Sequence, residues 1–284
     1  MKKNTNPFIK KAENTHVDMR CEASALRWLA EAEREGGMSV VRVLSADKKA
    51  LSEERIIPGR PSAPAARKIG RALAITHAKG AAWYGCPPDG WDFGWGAGYV
   101  IADSLTPVVP HKDAAENWGA YYAESLVMGY AKQAFDLGVI DETGSRLVQR
   151  VASRLQDGVY DAPQPALVEQ AIAASSGSIA CARLHGDLWA GNILWDASDS
   201  SATGGILIDP MAHGGHAETD LAMLSLFGFP YLDEVLRSYN ETSSLAEGWR
   251  ERMQLHQLAP LLHHCVLFGK SYVPAALAVA KAYA

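Results

Sequence analysis

Leu184-His185-Gly186-Asp187-Leu188-Trp189-Ala190-Gly191-Asn192 decides the reading of this chain. It places a carboxylate and an amide five residues apart in a short loop between two apolar runs. Asp209 follows seventeen residues after Asn192, closing the second run, Gly205-Ile206-Leu207-Ile208. Phosphoryl transfer needs an acid to orient a hydroxyl, and an amide plus a second acid to hold Mg²⁺ on a nucleotide. The pattern H-x-D-L-x-x-x-N followed by a strand-borne Asp is that of kinase catalytic segments. A lone D-x-x-x-x-N is more often a polar hairpin turn. Here His185, Leu188 and Asp209 accompany it, which favours chemistry. His185 reads as a brace bonded to backbone. Trp189 has two open readings, stacking on a sugar face or packing on the core.

The rest of the chain agrees with a soluble enzyme. Its 284 residues suffice for one large domain or two small ones. With 48% hydrophobic and 21% charged residues the balance is globular. A formal charge of −5 leaves no basic excess for nucleic acid or an anionic membrane. Cys21, Cys86, Cys181 and Cys265 are far apart, with no C-x-x-C pair, which suits reduced thiols in a cytoplasm. The start, Met1 to Pro7, lacks the apolar region of a signal peptide. No run approaches the roughly 18 apolar residues of a membrane span.

Periodicity predicts an α+β fold with two lobes, a small β-containing N-lobe and a mainly helical C-lobe. Strands are expected at 7–11, 40–44 and 50–57, the last two around a turn at 46–49, with a helix over 16–35 ended by Gly36-Gly37. Pro58-Gly59-Arg60-Pro61 then breaks the pattern, dividing 1–57, a nucleotide-binding lobe, from 58–284, a catalytic and substrate-binding lobe. Ser62 caps a helix to about Lys79, with Pro64 tolerated in its first turn. Residues 81–111, rich in Gly, Pro and Trp, read as a long surface excursion. Gly94-Trp95-Gly96-Ala97-Gly98 within it reads as a flexible loop, not a phosphate cradle. Helices are expected near 113–136, 142–156, 164–175, 217–227, 230–240 and 248–282, the last broken at Gly269.

An ATP kinase also needs a cation on the α/β-phosphates, held by a helix carboxylate. Lys10 is the candidate, with Glu22 its partner; Lys11 is the rival, since strand alternation turns one inward and the other to water. Glu54 and Ile56, just before the break, sit where backbone groups would bond adenine. A Gly-rich phosphate loop is expected to be absent or shortened, because only nine residues precede Lys10.

With Leu184–Asn192 and Ile208-Asp209-Pro210 in hand, the chain resembles the fructosamine/ketosamine-3-kinase family, a branch of the aminoglycoside-phosphotransferase-like kinases with a protein-kinase-like fold. His213-Gly214-Gly215-His216-Ala217-Glu218-Thr219-Asp220-Leu221, Leu226-Phe227-Gly228 and Leu267-Phe268-Gly269 continue the match. The resemblance implies ATP-dependent phosphorylation at O3 of a ketosamine, a fructosamine or ribulosamine carried by a small molecule or a glycated protein lysine. It implies Asp187 as base, Asn192 and Asp209 as Mg²⁺ ligands, and Lys10 with Glu22 as the phosphate-positioning pair. It places Trp118, Trp189, His213 and His216 in segments lining the sugar site, and assigns Asp220 and Glu218 to holding the catalytic loop. An aminoglycoside or choline-like acceptor, or an inactive nucleotide-binding scaffold, are the alternatives. Ser125 departs from the pattern, standing where many relatives carry Arg.

Overall fold

The computed structural model describes residues 6–12, 16–93, 98–101, 104–197 and 202–284. Strand β1 (Phe8–Lys11) leads to helix α1 (Met19–Ala30), then β2 (Ser39–Val40), β3 (Val43–Ala46) and β4 (Ala50–Glu53). Asp18 caps α1 by accepting a hydrogen bond from the Arg20 N–H. Met19, Ala23 and Leu26 recur at helical spacing on its buried face. A 3₁₀ turn, Glu31–Glu35, and Gly36 at φ 94° end it.

The expected strand 40–44 is divided between two sheets. β3 and β1 flank β4 in one antiparallel sheet. β2 instead pairs in parallel with β9 (Gly205–Leu207), through Ser39↔Ile206 and Val40↔Leu207. The hydrogen bonds show why. The Val41 N–H donates to Leu207 O, while Arg42 O accepts from the Glu54 N–H, so the chain changes sheet at residues 41–42. β4 also stops at Glu53, short of the expected residue 57.

Helix α2 (Ala63–Ala78) follows, with the Ser62 hydroxyl accepting from the Ala65 N–H. The 81–111 excursion contains a hairpin, β5 (Gly98–Ile101) with β6 (Ser104–Pro107). Its short alternation was hidden among glycines and tryptophans. The hairpin is tied down by buried hydroxyls: Tyr99 donates to Ala212 O at 2.6 Å, and Thr106 bonds the Tyr130 hydroxyl at 2.6 Å. Gly94 to Ala97 lie outside the described residues.

The helical part begins with α3 (Trp118–Tyr121), which runs through a π-helical turn, Tyr122–Val127, into α4 (Met128–Asp136). Then come α5 (Glu142–Gln156), α6 (Ala166–Ala174), β7 (Ala182–Leu184), β8 (Ile193–Trp195), β9, and β10 (His213–Gly215), the last paired with β7. Helices α7 (Glu218–Leu226), α8 (Leu232–Thr242), α9 (Trp249–His256), α10 (Leu258–Phe268) and α11 (Val273–Tyr283) complete the chain.

One apolar cluster joins Leu26, Leu29 and Met38 to Ile69, Leu207 and Tyr239, so the Pro58–Pro61 break interrupts the chain's path and not its core. A second cluster fills the space among α3–α5 and α9–α11. The stretch Trp249–Tyr283 corrects an expectation, since it holds a window of mean hydropathy 1.3, long and apolar enough by composition to cross a membrane. In the structure it breaks at Gly269 (φ 74°), and α10 and α11 pack on each other. Leu258, Leu262, Cys265, Ala276 and Ala280 are buried there.

Candidate active site

The loop after β7 takes its shape from a few buried bonds. Asp220, 1% exposed at the start of α7, accepts the N–H groups of His185 (2.7 Å) and Gly186 (3.0 Å) and contacts His77 Nε2 at 3.1 Å. Burial alone would raise its pKa; the His77 contact, with His185 and its N–H, holds it below the ordinary value. His185 Nδ1 accepts from the Asp187 N–H (3.2 Å), which leaves the proton on Nε2 to donate to Ile208 O (2.9 Å). Burial favours that neutral ring. His185 is therefore a brace, as its position in the sequence suggests.

Two glycines are sterically required in this loop. Gly186 has φ 84°, and a Cβ there would lie 2.1 Å from Met211 O. A Cβ on Gly191 would lie 2.4 Å from the Trp189 ring, so the indole folds over that glycine. Leu188 is fully buried and anchors the loop.

Asn192 ends the 3₁₀ turn Ala190–Asn192. Its amide nitrogen donates to Asp187 O (2.8 Å) and Asp187 Oδ2 (2.9 Å), leaving its carbonyl oxygen as the remaining ligand atom. Burial pushes the Asp187 carboxyl up to about 6 against the pull of the Asn192 bond, with Asp209 adding repulsion. Asp209 lies two residues beyond β9 at φ 54°, before Pro210, so it is not strand-borne. Strain of this kind clusters at functional positions.

Strand alternation resolves the lysine pair. Lys10 turns inward to Glu22 Oε1 (2.5 Å), Glu53 Oε2 (3.4 Å) and Asp209, whereas Lys11 is exposed. Burial would lower the Lys10 pKa, but Glu22 and Asp209 outweigh it and hold the ammonium above its ordinary value. Burial raises the carboxyls of Glu22, to about 7, and Glu53. Glu53 was missed in the sequence. Its signal was an acid sharing the buried face of β4 with Leu51, where alternation calls for an apolar residue.

Two cavities meet at the loop. The larger, about 550 Å³, is lined by Lys10, Glu22, Asn192 and Asp209 among others. The second, about 420 Å³, lies among the helices and includes Tyr130, His213, Met223 and Leu267. Asp187 and Trp189 line both. The fructosamine kinase family model matches residues 1–283. This chain belongs to the fructosamine kinase family.

A solved structure named "putative fructosamine-3-kinase", from Thermobifida fusca, is 37% identical, covers 98% of this chain and 85% of its own, and superposes with a TM-score of 0.80. A "probable ketoamine kinase" of Vibrio vulnificus is 28% identical over 96% of this chain and 80% of its own. The "ketosamine-3-kinase" of Mus musculus is 31% identical over 56% of this chain and 45% of its own.

The other residues singled out in the sequence fall into distinct places. His213 lines the second cavity; its Nδ1–H donates to Met211 O (2.7 Å), so the buried Nε2 is an acceptor without a hydrogen-bond partner among the described residues. Trp189 is 40% exposed at the junction, so it does not fill the core. Trp118 and His216 line neither cavity. Trp118 stacks on Tyr122 (4.8 Å between ring centres), and His216 packs against Trp118 (5.7 Å), because α3 buries its aromatic face on α9. Glu54 and Ile56 also line neither cavity; Glu54 pairs with Arg42 at 3.4 Å.

Glu218 does not hold the loop, as expected of it, but pairs with Arg252 (2.6 and 2.9 Å) and His256 (3.2 Å). This buried group makes stability sensitive to acid. Burial pushes His216 from its ordinary 6.5 down to about 4. For Glu218, burial works upward, but the His256 and Arg252 bonds bring it from 4.5 down to about 2. Between each pair of values the unfolded chain binds more protons than the folded one, so stability falls as pH falls. The His216 contribution is complete above pH 6.5 and lost towards 4; that of Glu218 is complete above 4.5 and lost towards 2. Melting temperature is expected to decline steadily below pH 6.5, and His216→Asn is expected to flatten the first part of that decline. Equal slopes in both proteins would remove His216 from the account.

Proposed function

We propose that this chain transfers the γ-phosphoryl group of ATP to the O3 hydroxyl of a ketosamine sugar. One observation carries the reading: Asp187 stands where a cavity holding Lys10, Asn192 and Asp209 meets a second one suited to an organic acceptor. Residues 1–57 act as the nucleotide-binding lobe and 58–284 as the catalytic lobe. Lys10, held by Glu22, binds the α/β-phosphates. Asp187 aligns the hydroxyl and accepts its proton as the new O–P bond forms and ADP departs. Trp189 faces the sugar, and His213 Nε2 accepts from one of its hydroxyls.

The donor set fits Mg²⁺. The Asn192 carbonyl and the Asp209 carboxylate are hard oxygen ligands. Glu22, Glu53 and Asp209 face the single ammonium of Lys10, an arrangement a cation would balance. Mg²⁺ held by Asn192 and Asp209 supplies charge neutralisation on the phosphates. All four cysteines are buried and unpaired, which supports a reducing compartment, the cytoplasm.

The test is a transfer assay with Mg-ATP and a ribulosamine, a fructosamine or an aminoglycoside as acceptor. Phosphoester is expected on the ketosamines. Transfer to the aminoglycoside alone would overturn the reading, as would hydrolysis of ATP with no acceptor labelled.

A further inference from the structure

We propose that the 420 Å³ cavity receives the amine substituent of the ketosamine and selects an uncharged, apolar or aromatic one. This rests on the ketosamine kinase reading above and adds the class of amine.

One end of the cavity carries the reacting groups. Asp187, Gly186 and His213 lie together on the catalytic loop and the strand beside it. Apolar wall comes from Leu126 of the π-helical turn, Met223 of α7 and Leu267 of α10, beside the rings of Phe227 and Phe268. Four of the hydroxyls in these walls, those of Thr106, Tyr122, Tyr130 and Thr219, are already engaged. Tyr122 Oη donates to Leu255 O or His256 O and accepts from the Ala259 N–H. Tyr130 bonds Thr106, and Thr219 bonds His256 Nδ1. A polyol tail pushed among these side chains would lose more hydration than the engaged hydroxyls could repay. The sugar therefore stays at the Asp187 end, and what enters is the substituent on its nitrogen.

Charge excludes a cationic substituent. Asp187 is the one acid among the described lining residues. His263 and His264 are held neutral by burial, so they place no charge there. An ammonium deep in this space would be desolvated with no carboxylate beyond Asp187 to pair it. A neutral ring meets the opposite situation. Rings run outward from the catalytic loop: Trp189 to Phe227 at 6.5 Å, Phe227 to His264 at 5.1 Å, His264 to Phe268 at 5.3 Å. Phe227 and Phe268 are 43% and 60% exposed, so this aromatic wall continues past the mouth. The volume lies low in the usual range for small-molecule sites, ~300–1,000 Å³, and suits a ring and not a protein loop.

Three ribulose adducts test the idea, those of methylamine, benzylamine and 1,5-diaminopentane, each assayed with the intact protein and Mg-ATP. We expect kcat/KM for the benzyl adduct to exceed the methyl adduct by at least about tenfold. The adduct with a free terminal ammonium is expected to fall below the methyl one. Leu267→Asp should shrink the benzyl-to-methyl ratio about tenfold. The exposed Phe268→Asp, where folding is not at stake, should shrink it in the same direction. Equal rates for benzyl and methyl adducts, or a preference for the ammonium-bearing one, would overturn the proposal while leaving the kinase reading intact. No transfer to any adduct would overturn both.

Discussion

Asp187→Asn is expected to lower kcat by roughly 10²–10⁴-fold, the usual worth of a positioned general base. The substitution is nearly isosteric. Asn192 Nδ2, which reaches Asp187 Oδ2 at 2.9 Å, can find the new amide oxygen in the same place, so the loop keeps its shape. Lys10 and Glu22 lie on other elements and retain their contact, so ATP binding should change little. A measured kcat within a few-fold of the parent would remove Asp187 from the role of base. Loss of ATP binding in parallel with kcat would instead show a disrupted site.

Asp220→Ala is expected to cost about 3–5 kcal/mol of stability, in the range for breaking a buried charged network. The carboxylate is 1% exposed and serves the His185 N–H, the Gly186 N–H and His77 Nε2. Alanine supplies no acceptor, and each orphaned buried donor carries its own desolvation penalty. Against a typical total of about 5–15 kcal/mol this is a large fraction. Urea unfolding should show it as a lower midpoint with an unchanged slope. A loss below about 1 kcal/mol would mean that water or another acceptor replaces the carboxylate. Asp220→Asn keeps one acceptor oxygen and should fall between parent and alanine. Both variants should also lose activity, because the two bonded amides immediately precede Asp187.

Much of the site was legible because its parts are close in sequence. Asp187 and Asn192 meet through a five-residue turn, and a loop this short has few ways to bring them together. The helix cap at Ser62 was equally local. What failed did so where a partner was distant. The run 40–44 contains no local sign that Val41 bonds Leu207 while Arg42 bonds Glu54. Trp118 and His216 belong to recognisable segments, yet helix packing turned them into the core.

The sequence by itself determined the acid–amide spacing of the catalytic loop, the family and most of the helices. These are carried by residue spacing and periodicity over a few positions. Tertiary structure decided which of Lys10 and Lys11 turns inward, brought Glu53 to that ammonium, and assembled the second cavity from the π-helical turn, β10, α7 and α10. Those outcomes depend on how distant faces are packed against one another, and no local periodicity encodes that.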